Sequence, residues 1–141
     1  MQKRLPISRI PKNIKIFGNK NFRGICPSEH VEQRNFFQIL KIKYPKLHKI
    51  AMHIKNEGNR TYGQFLYDAK QGLNVGCCDI IIPCVPSICI EMKRIDQLKS
   101  KTTQLQIEYI QNVIEQGGFG CFCLGADAGL EAIEYYYKHV I

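Results

Sequence analysis

Two short apolar runs in the middle of the chain constrain its fold most strongly. They cover residues 78–84 and 87–94 and surround a turn, residues 85–87, that contains Pro86. Runs of this length, rich in isoleucine and separated by a proline turn, are typical of two neighbouring β-strands. The sequence therefore predicts a β-hairpin at the centre of the chain, with the other elements arranged around it.

Helical patterns flank this hairpin on both sides. The first helix is predicted to begin after the N-cap candidate Ser28 and to end at Pro45. Further helices are predicted over residues 61–71 and about 103–116. A last helix follows, for which Asp127 can serve as the N-cap.

Two more strands complete the predicted elements, at residues 47–54 and 119–124. The predicted order is α-β-α-β-β-α-β-α. Within residues 61–71, apolar side chains recur at the i, i+3, i+4 and i+7 positions, which predicts an amphipathic helix. These side chains are Tyr62, Phe65, Leu66 and Ala69, and the matching apolar set of the last helix is Leu130, Ile133 and Tyr137.

The positive charge of the chain is concentrated near its N-terminus. The 141 residues carry a net charge of +8, yet residues 26–141 contain 13 basic and 12 acidic side chains. Residues 1–25 contain seven basic side chains and no acidic one. This division predicts a basic arm, residues 1–25, on a nearly neutral domain, residues 26–141. Such an arm suits a polyanion, most simply nucleic acid, although a solubilising tail has the same composition. The candidate DNA-contacting residues in the arm are Lys3, Arg4, Arg9 and Lys12.

The cysteines indicate a reducing compartment. There are seven, an odd number, two of them are adjacent, and no secretory signal pattern precedes them. We therefore expect free thiols in a cytoplasmic protein. A zinc site is the alternative, but no C-x-x-C pair supports it, and Cys121 and Cys123 are expected to be small buried apolar residues. No apolar run is long enough to cross a membrane.

The second strand of the hairpin carries the candidate chemistry. Alternation along the strand places Glu91 and Lys93 on the face opposite Ile88, Ile90 and Met92. The partner strand can bring Asp79 beside them. Two carboxylates on one small patch favour a divalent cation such as Mg²⁺ or Mn²⁺, and a neighbouring lysine can orient water or stabilise charge on a phosphate. The alternative is a solvated strand face.

Five separated stretches of the sequence resemble the virus-type replication-repair nuclease (VRR-NUC) family. They are CPSEHVEQRNFF, HIKNEGNRTYGQ, GLNVGCCDIIIP, IEMKRID and QIEYIQNVIEQGGF, and they occur in family order from Cys26 onwards. The family belongs to the PD-(D/E)xK nuclease superfamily. The resemblance is to its stand-alone phage and bacterial members. It implies an α/β fold, with a mixed central sheet flanked by helices, and a metal-dependent DNA endonuclease activity.

The resemblance also implies roles for residues of the hairpin. Asp79 matches the aspartate of the family's G-x-x-D turn, and Glu91 and Lys93 match its E-x-K pair. Asp79 and Glu91 would ligate Mg²⁺ or Mn²⁺, with the main-chain carbonyl of Met92 as a further ligand. Lys93 would contact the attacking water. Cys78 departs from the superfamily pattern, in which a proline often precedes this aspartate.

Two helix residues are implied with alternatives. The glutamate of the family's E-x-x-x-Q pattern matches Glu29 with Gln33, as a catalytic residue and candidate metal ligand, and Glu32 is a nearby rival. The glutamine that opens the helix after E-x-K matches Gln106 or Gln104. Gln106 is preferred because the apolar residues that follow it share its helix face.

The resemblance further implies a nucleic-acid partner and an assembly. Asn56 and Arg60 match a family loop that would line the DNA groove. Stand-alone relatives act as homodimers on four-way (Holliday) junctions, whose near two-fold symmetry suits a C2 dimer. Three successive tyrosines, residues 135–137, leave more apolar surface than one helix stripe can bury. A catalytically silent nucleic-acid-binding module of the same fold is the alternative function.

Overall fold

The computed structural model describes residues 3–55, 61–74 and 76–141. Within these ranges, five strands and five α-helices follow one another. The strands are β1 (Lys15–Phe17), β2 (Met52–His53), β3 (Ile80–Ile82), β4 (Ile88–Lys93) and β5 (Phe119–Leu124). The α-helices are α1 (Glu29–Lys43), α2 (Pro45–His48), α3 (Tyr62–Lys70), α4 (Gln104–Glu115) and α5 (Ala126–Tyr135). Among the helices of these described ranges, none combines the length and apolar character that a bilayer crossing requires.

The strands form one mixed sheet in the order β1-β5-β4-β3-β2. β5 is parallel to both of its neighbours, whereas the β3–β4 pair and the β2–β3 pair are antiparallel. The central hairpin is therefore confirmed, as is the predicted α/β class with a mixed sheet flanked by helices.

Helices cover both faces of this sheet, so the strands at its centre are buried on both sides. One face packs against α1 and α5, with Phe36, Ile90 and Ile133 in its core. The other face packs against α4 and the N-terminal segment, with Cys89 and Ile110 in a second core. Side chains of β4 point alternately into these two cores, so Glu91 and Lys93 belong to the α4 side. Burial, and not solvation, therefore governs their chemistry.

Several local predictions are corrected by the structure. The segment expected to be a strand from residue 47 begins with the short helix α2, and only Met52–His53 form β2. Helix α5 has Gly125, with φ +98°, at its N-cap in place of Asp127, which lies in the first turn. Tyr136, and not Tyr137, is the buried tyrosine of the C-terminal segment, because the helix widens into a π-turn there. Its hydroxyl donates to the carbonyl oxygen of Pro86 at 2.6 Å.

Helix α3 forms as the amphipathic helix that the sequence predicts. It forms where expected, and its N-cap Thr61 accepts a hydrogen bond from the amide of Gln64. Its apolar stripe, however, faces solvent, and none of its side chains is buried. The periodicity correctly predicts a helix with one apolar side but cannot tell whether a partner within the chain covers that side.

The N-terminal segment is integrated into the domain and is not a separate arm. β1 forms the edge of the sheet, and Ile10 and Ile14 are buried in the α4-side core. Arg4 donates to the carbonyl oxygen of Ser100 at 2.8 Å. The reason is that isoleucines alternate with the basic residues here, so the segment packs inward through the former and remains charged outside through the latter.

Candidate active site

Asp79 is fixed by the strands on either side of it. Its main-chain carbonyl accepts a hydrogen bond from the amide of Ile54 at 2.7 Å, and the ring Nδ1 of His53 lies 3.2 Å from the same oxygen. Its side-chain Oδ2 accepts from the amide of Met92 at 2.9 Å. This bond holds the Asp79 carboxylate against β4 at Met92, the residue between Glu91 and Lys93. The predicted approach of Asp79 to the E-x-K strand is present in the structure.

Glu91 and Lys93 form a buried ion pair. Each is only 2% exposed, and Nζ of Lys93 lies 3.8 Å from Oε1 of Glu91. The ammonium group also donates to the main-chain carbonyl of Lys101 and, at 3.0 Å, to Oε1 of Gln106. An ammonium has three protons, so two are committed to these fixed acceptors and the third remains for the Glu91 side of the site.

Gln106 reaches Lys93 because of how helix α4 begins. Thr103 and Gln106 form a capping box: the Thr103 hydroxyl accepts from the Gln106 amide, and Oε1 of Gln106 accepts from the Thr103 amide. Gln104, in contrast, is exposed and bonds to Glu108. The structure thus brings Gln106, and not Gln104, to the E-x-K pair. The T-x-x-Q spacing is a capping-box signature that supports the same choice from sequence.

The electrostatics of Glu91 are those of a buried carboxyl group whose ion pair with Lys93 leaves one oxygen without a partner. Burial raises the pKa of Glu91 well above its usual range, and the charge of Asp79 raises it further, while Lys93 opposes the shift. Its Oε2 is buried and has no hydrogen-bond partner among the described residues. Leaving a carboxylate oxygen in this state is costly, so the site favours either a proton or a cation.

The two candidate glutamates of α1 lie in different places. The charge of Glu29 also raises the pKa of Glu91, which places it within electrostatic range of the site. Glu32 is buried at the start of α5, where it accepts a hydrogen bond from the amide of Ala126, and burial raises its pKa. It lines a cavity of about 570 Å³ between α1 and α5. Glu32 therefore caps a helix that has only glycine at its N-cap, whereas Glu29 acts on Glu91 through its charge.

Arg94 holds the chain segment that leads into α1, a role that the sequence analysis does not predict. Its guanidinium donates to the carbonyl oxygens of Cys26 at 2.7 Å and Pro27 at 2.9 Å. Its amide donates to the hydroxyl of Ser100 at 2.7 Å. Because Ser28 and Glu29 follow directly, Arg94 links the position of Glu29 to the strand that carries Lys93. An arginine next to the motif lysine does not by itself predict this contact, because the carbonyl groups that it binds are distant in sequence.

The donor set fits a hard divalent cation with open positions. Among the described residues, no three Asp, Glu, His or Cys side chains form a complete metal cage. Asp79 and Glu91 supply carboxylate oxygens, and the buried unpartnered Oε2 of Glu91 is the kind of atom that a cation would satisfy. Magnesium usually binds through one or two carboxylates and keeps several waters, so an incomplete cage is suited to it.

The structure describes only some of the predicted DNA-contacting residues. Asn56 and Arg60 lie outside the described residues. Lys3, Arg4, Arg9 and Lys12 are exposed at the N-terminal end of the domain.

The seven cysteines are free, and Cys121 and Cys123 are completely buried with their sulfur atoms 3.8 Å apart, in agreement with an apolar role.

Comparison with solved structures identifies the fold. The chain is similar to a solved structure described as a VRR_NUC domain protein, with a TM-score of 0.66 and 22% sequence identity. The superposition covers 83% of this chain and 92% of the other. The chain has a VRR-NUC fold. Neither the family profiles nor the curated protein sequences match it. This fold agrees with the mixed central sheet flanked by helices that the sequence resemblance implies.

Proposed function

We propose that the protein is a metal-dependent DNA endonuclease. Its active site, formed by Asp79, Glu91 and Lys93, would hydrolyse phosphodiester bonds. One observation carries the proposal: Glu91, beside Asp79 and Lys93, is buried with an unpartnered carboxylate oxygen. A purely structural strand would not be expected to bury a glutamate and a lysine beside a second carboxylate, because taking charged groups out of water is costly. The VRR-NUC fold of the relative supports the same activity.

The residues divide the work of hydrolysis. Asp79 and Glu91, with the Met92 carbonyl and Glu29 as further candidates, would hold Mg²⁺ or Mn²⁺. The ion would act as a Lewis acid and lower the pKa of a water molecule. Gln106 and the Lys101 carbonyl fix the Lys93 ammonium so that its third proton points to the Glu91 side. There Lys93 can orient the attacking water and stabilise the charge that develops on the phosphate.

The direct test is a cleavage assay with the full chain. Fluorescently labelled linear duplex, single-stranded and four-way-junction DNA are incubated with Mg²⁺ or Mn²⁺, and parallel reactions contain EDTA. We expect cleavage that EDTA abolishes, because the carboxylates alone cannot activate water. DNA binding without cleavage under all these conditions would instead favour the silent binding module.

We further propose that the substrate is branched DNA and that the active form is a homodimer. The support is the resemblance to stand-alone nucleases together with the chemistry of the site, since one site of this kind cuts one strand at a time. A four-way junction has the near two-fold symmetry that a C2 dimer matches. The tyrosines that suggested this assembly contribute less than expected, because Tyr136 is buried within its own chain and Tyr137 stacks on Tyr44 at a ring separation of 5.4 Å.

The exposed basic residues near the N-terminus are expected to contact phosphates. Deleting this segment would also remove β1 and two buried isoleucines, so charge-removing substitutions are the better test. For Arg9→Gln with Lys12→Gln, the slope of log K against log salt should become shallower by up to roughly 0.9 per lost duplex phosphate contact. Fluorescence anisotropy between low and moderate salt measures the slope. Lys138→Gln, on the C-terminal segment, serves as the control, and equal slopes for all three proteins would assign these residues a solubilising role.

A further inference from the structure

Helix α3 exposes an apolar stripe with aromatic side chains. Tyr62 is 77% exposed, Phe65 36% and Leu66 43%. Residues at these spacings lie within about 100° of one another around the helix axis, so they form one continuous surface. The helix itself is well closed, since Thr61 caps it and Gln71 terminates it through main-chain hydrogen bonds. An ordered helix with an uncovered apolar face indicates a surface for a partner.

The charge of the sequence that leads into and includes α3 indicates the kind of partner. Residues 41–72 contain seven basic and two acidic side chains, which is the largest positive excess outside the N-terminal segment. The lysines in the described part of this stretch are all exposed. They are Lys41, Lys43, Lys46, Lys49, Lys55 and Lys70. Exposed aromatic residues combined with exposed lysines match the surfaces on which nucleic-acid bases stack while the backbone is held by charge.

Both ends of the chain segment that carries α3 are attached beside the active site. Before the helix, the amide of Ile54 bonds to the carbonyl of Asp79 at 2.7 Å. After the helix, Gly76 packs against the main chain of Leu105, so closely that a β-carbon there would lie 2.4 Å from the Leu105 carbonyl oxygen. Leu105 is the neighbour of Gln106 in α4. A strand of nucleic acid at Asp79 and Gln106 is therefore close to the points where the α3 segment joins the domain.

We propose that the Tyr62–Phe65–Leu66 stripe is a stacking surface for unpaired bases of the DNA substrate. The statement that this DNA continues into the Asp79–Glu91–Lys93 site rests on the proposed function. Unpaired bases present their ring faces, whereas bases within a duplex are already stacked on their neighbours. Among branched DNAs, the stripe would therefore favour those with a single-stranded region next to the cut over a fully paired four-way junction, which names the substrate class more narrowly than the fold does.

The test compares paired and unpaired DNA in EDTA, so that binding is measured without cleavage. The double variant Tyr62→Ala, Phe65→Ala is suitable because neither side chain is buried, and thermal melting verifies its fold. We expect its affinity for a single-stranded oligonucleotide and for a tailed duplex to fall about tenfold or more. Its affinity for a blunt duplex of the same length should change less than twofold. A 2-aminopurine in the tail should be quenched by the wild-type protein and not by the variant.

Tyr67→Ala is the matched control, since Tyr67 is an exposed tyrosine of the same helix outside the stripe. Equal losses for this control, or equal losses on blunt and tailed DNA, would overturn the proposal. So would a change from dimer to monomer in light scattering with unchanged single-strand affinity, which would assign the stripe to a second copy of the chain. If the double variant loses affinity only for DNA with unpaired bases, but the wild type never cleaves DNA with Mg²⁺ or Mn²⁺, the nuclease proposal fails and the stacking surface stands. If the wild type cleaves DNA but the double variant binds the tailed duplex as tightly as the wild type does, the stacking proposal fails and the nuclease proposal stands.

Discussion

Lys93→Met is expected to reduce DNA cleavage by about 10³-fold or more while leaving DNA binding within a few-fold of the wild type. Methionine preserves most of the buried volume but removes the ammonium that faces Glu91 and the developing charge on the phosphate. Loss of a single group that stabilises transition-state charge typically costs about 10²–10³ in rate, and loss of a water-orienting role adds to this. Single-turnover cleavage in Mg²⁺ and anisotropy in EDTA measure the two quantities separately.

Five further variants define the limits of this result. Asp79→Ala and Glu91→Ala should also be inactive, because each removes a proposed metal ligand. Lys101→Met, which alters an exposed side chain but keeps the carbonyl that Lys93 contacts, should cleave normally. The pair Gln106→Ala and Gln104→Ala should differ in the same way, since only Gln106 reaches Lys93. Full activity of both Lys93→Met and Asp79→Ala would contradict the site assignment.

Glu91→Gln is expected to stabilise the metal-free protein and to abolish its stabilisation by Mg²⁺. The pKa of Glu91 is raised in the folded state above its usual value of 4.5, chiefly by burial. Its contribution to stability is therefore fully present below pH 4.5 and is lost as the pH rises toward the folded-state pKa. Glutamine has no such dependence, so the two melting curves should nearly coincide at pH 4 and separate in favour of the variant by pH 8.

Melting temperatures in EDTA, measured between pH 4 and pH 8, give the first half of this result. For a domain of this size each 1 kcal/mol corresponds to roughly 4 °C. Adding Mg²⁺ at pH 8 should raise the melting temperature of the wild type and leave that of Glu91→Gln unchanged, because binding to the folded state stabilises it. Glu115→Gln, at an exposed position of α4, should match the wild type throughout. A magnesium effect of the same size in Glu91→Gln would remove Glu91 from the ligand set.

The hairpin was the most predictable part of the fold because its information is local. Isoleucine-rich runs beside a proline turn leave few alternatives, and the alternation within β4 correctly places Glu91 and Lys93 on one face. The burial of that face could not be predicted, because it depends on α4 and on Ile10 and Ile14, which are distant in sequence. The charged character of the N-terminal segment obscured the same two isoleucines and the strand that follows them.

The candidate site follows a similar division. Asp79, Glu91 and Lys93 lie together as the hairpin register requires, so strand periodicity sufficed to predict their proximity. Glu29 and Glu32 could not be separated by sequence, since both occupy the first turn of α1 and the difference lies in what each interacts with. The exposure of the apolar stripe of α3 could not be predicted. Its pattern is indistinguishable from that of a core helix, and only the tertiary structure shows that the stripe is uncovered.

The pairing of β1 with β5 has a consequence for the order in which the domain can be assembled on the ribosome. Lys15 pairs with Cys121, so the first strand to be synthesised has its hydrogen-bonding partner among the last. At typical elongation rates of about 5–20 residues per second, β1 waits on the order of ten seconds for β5 to emerge. During that interval the isoleucines and the cationic side chains of the N-terminal segment are both accessible. A nascent chain of this kind is therefore exposed to capture by polyanions, ribosomal RNA among them, before its own sheet can close.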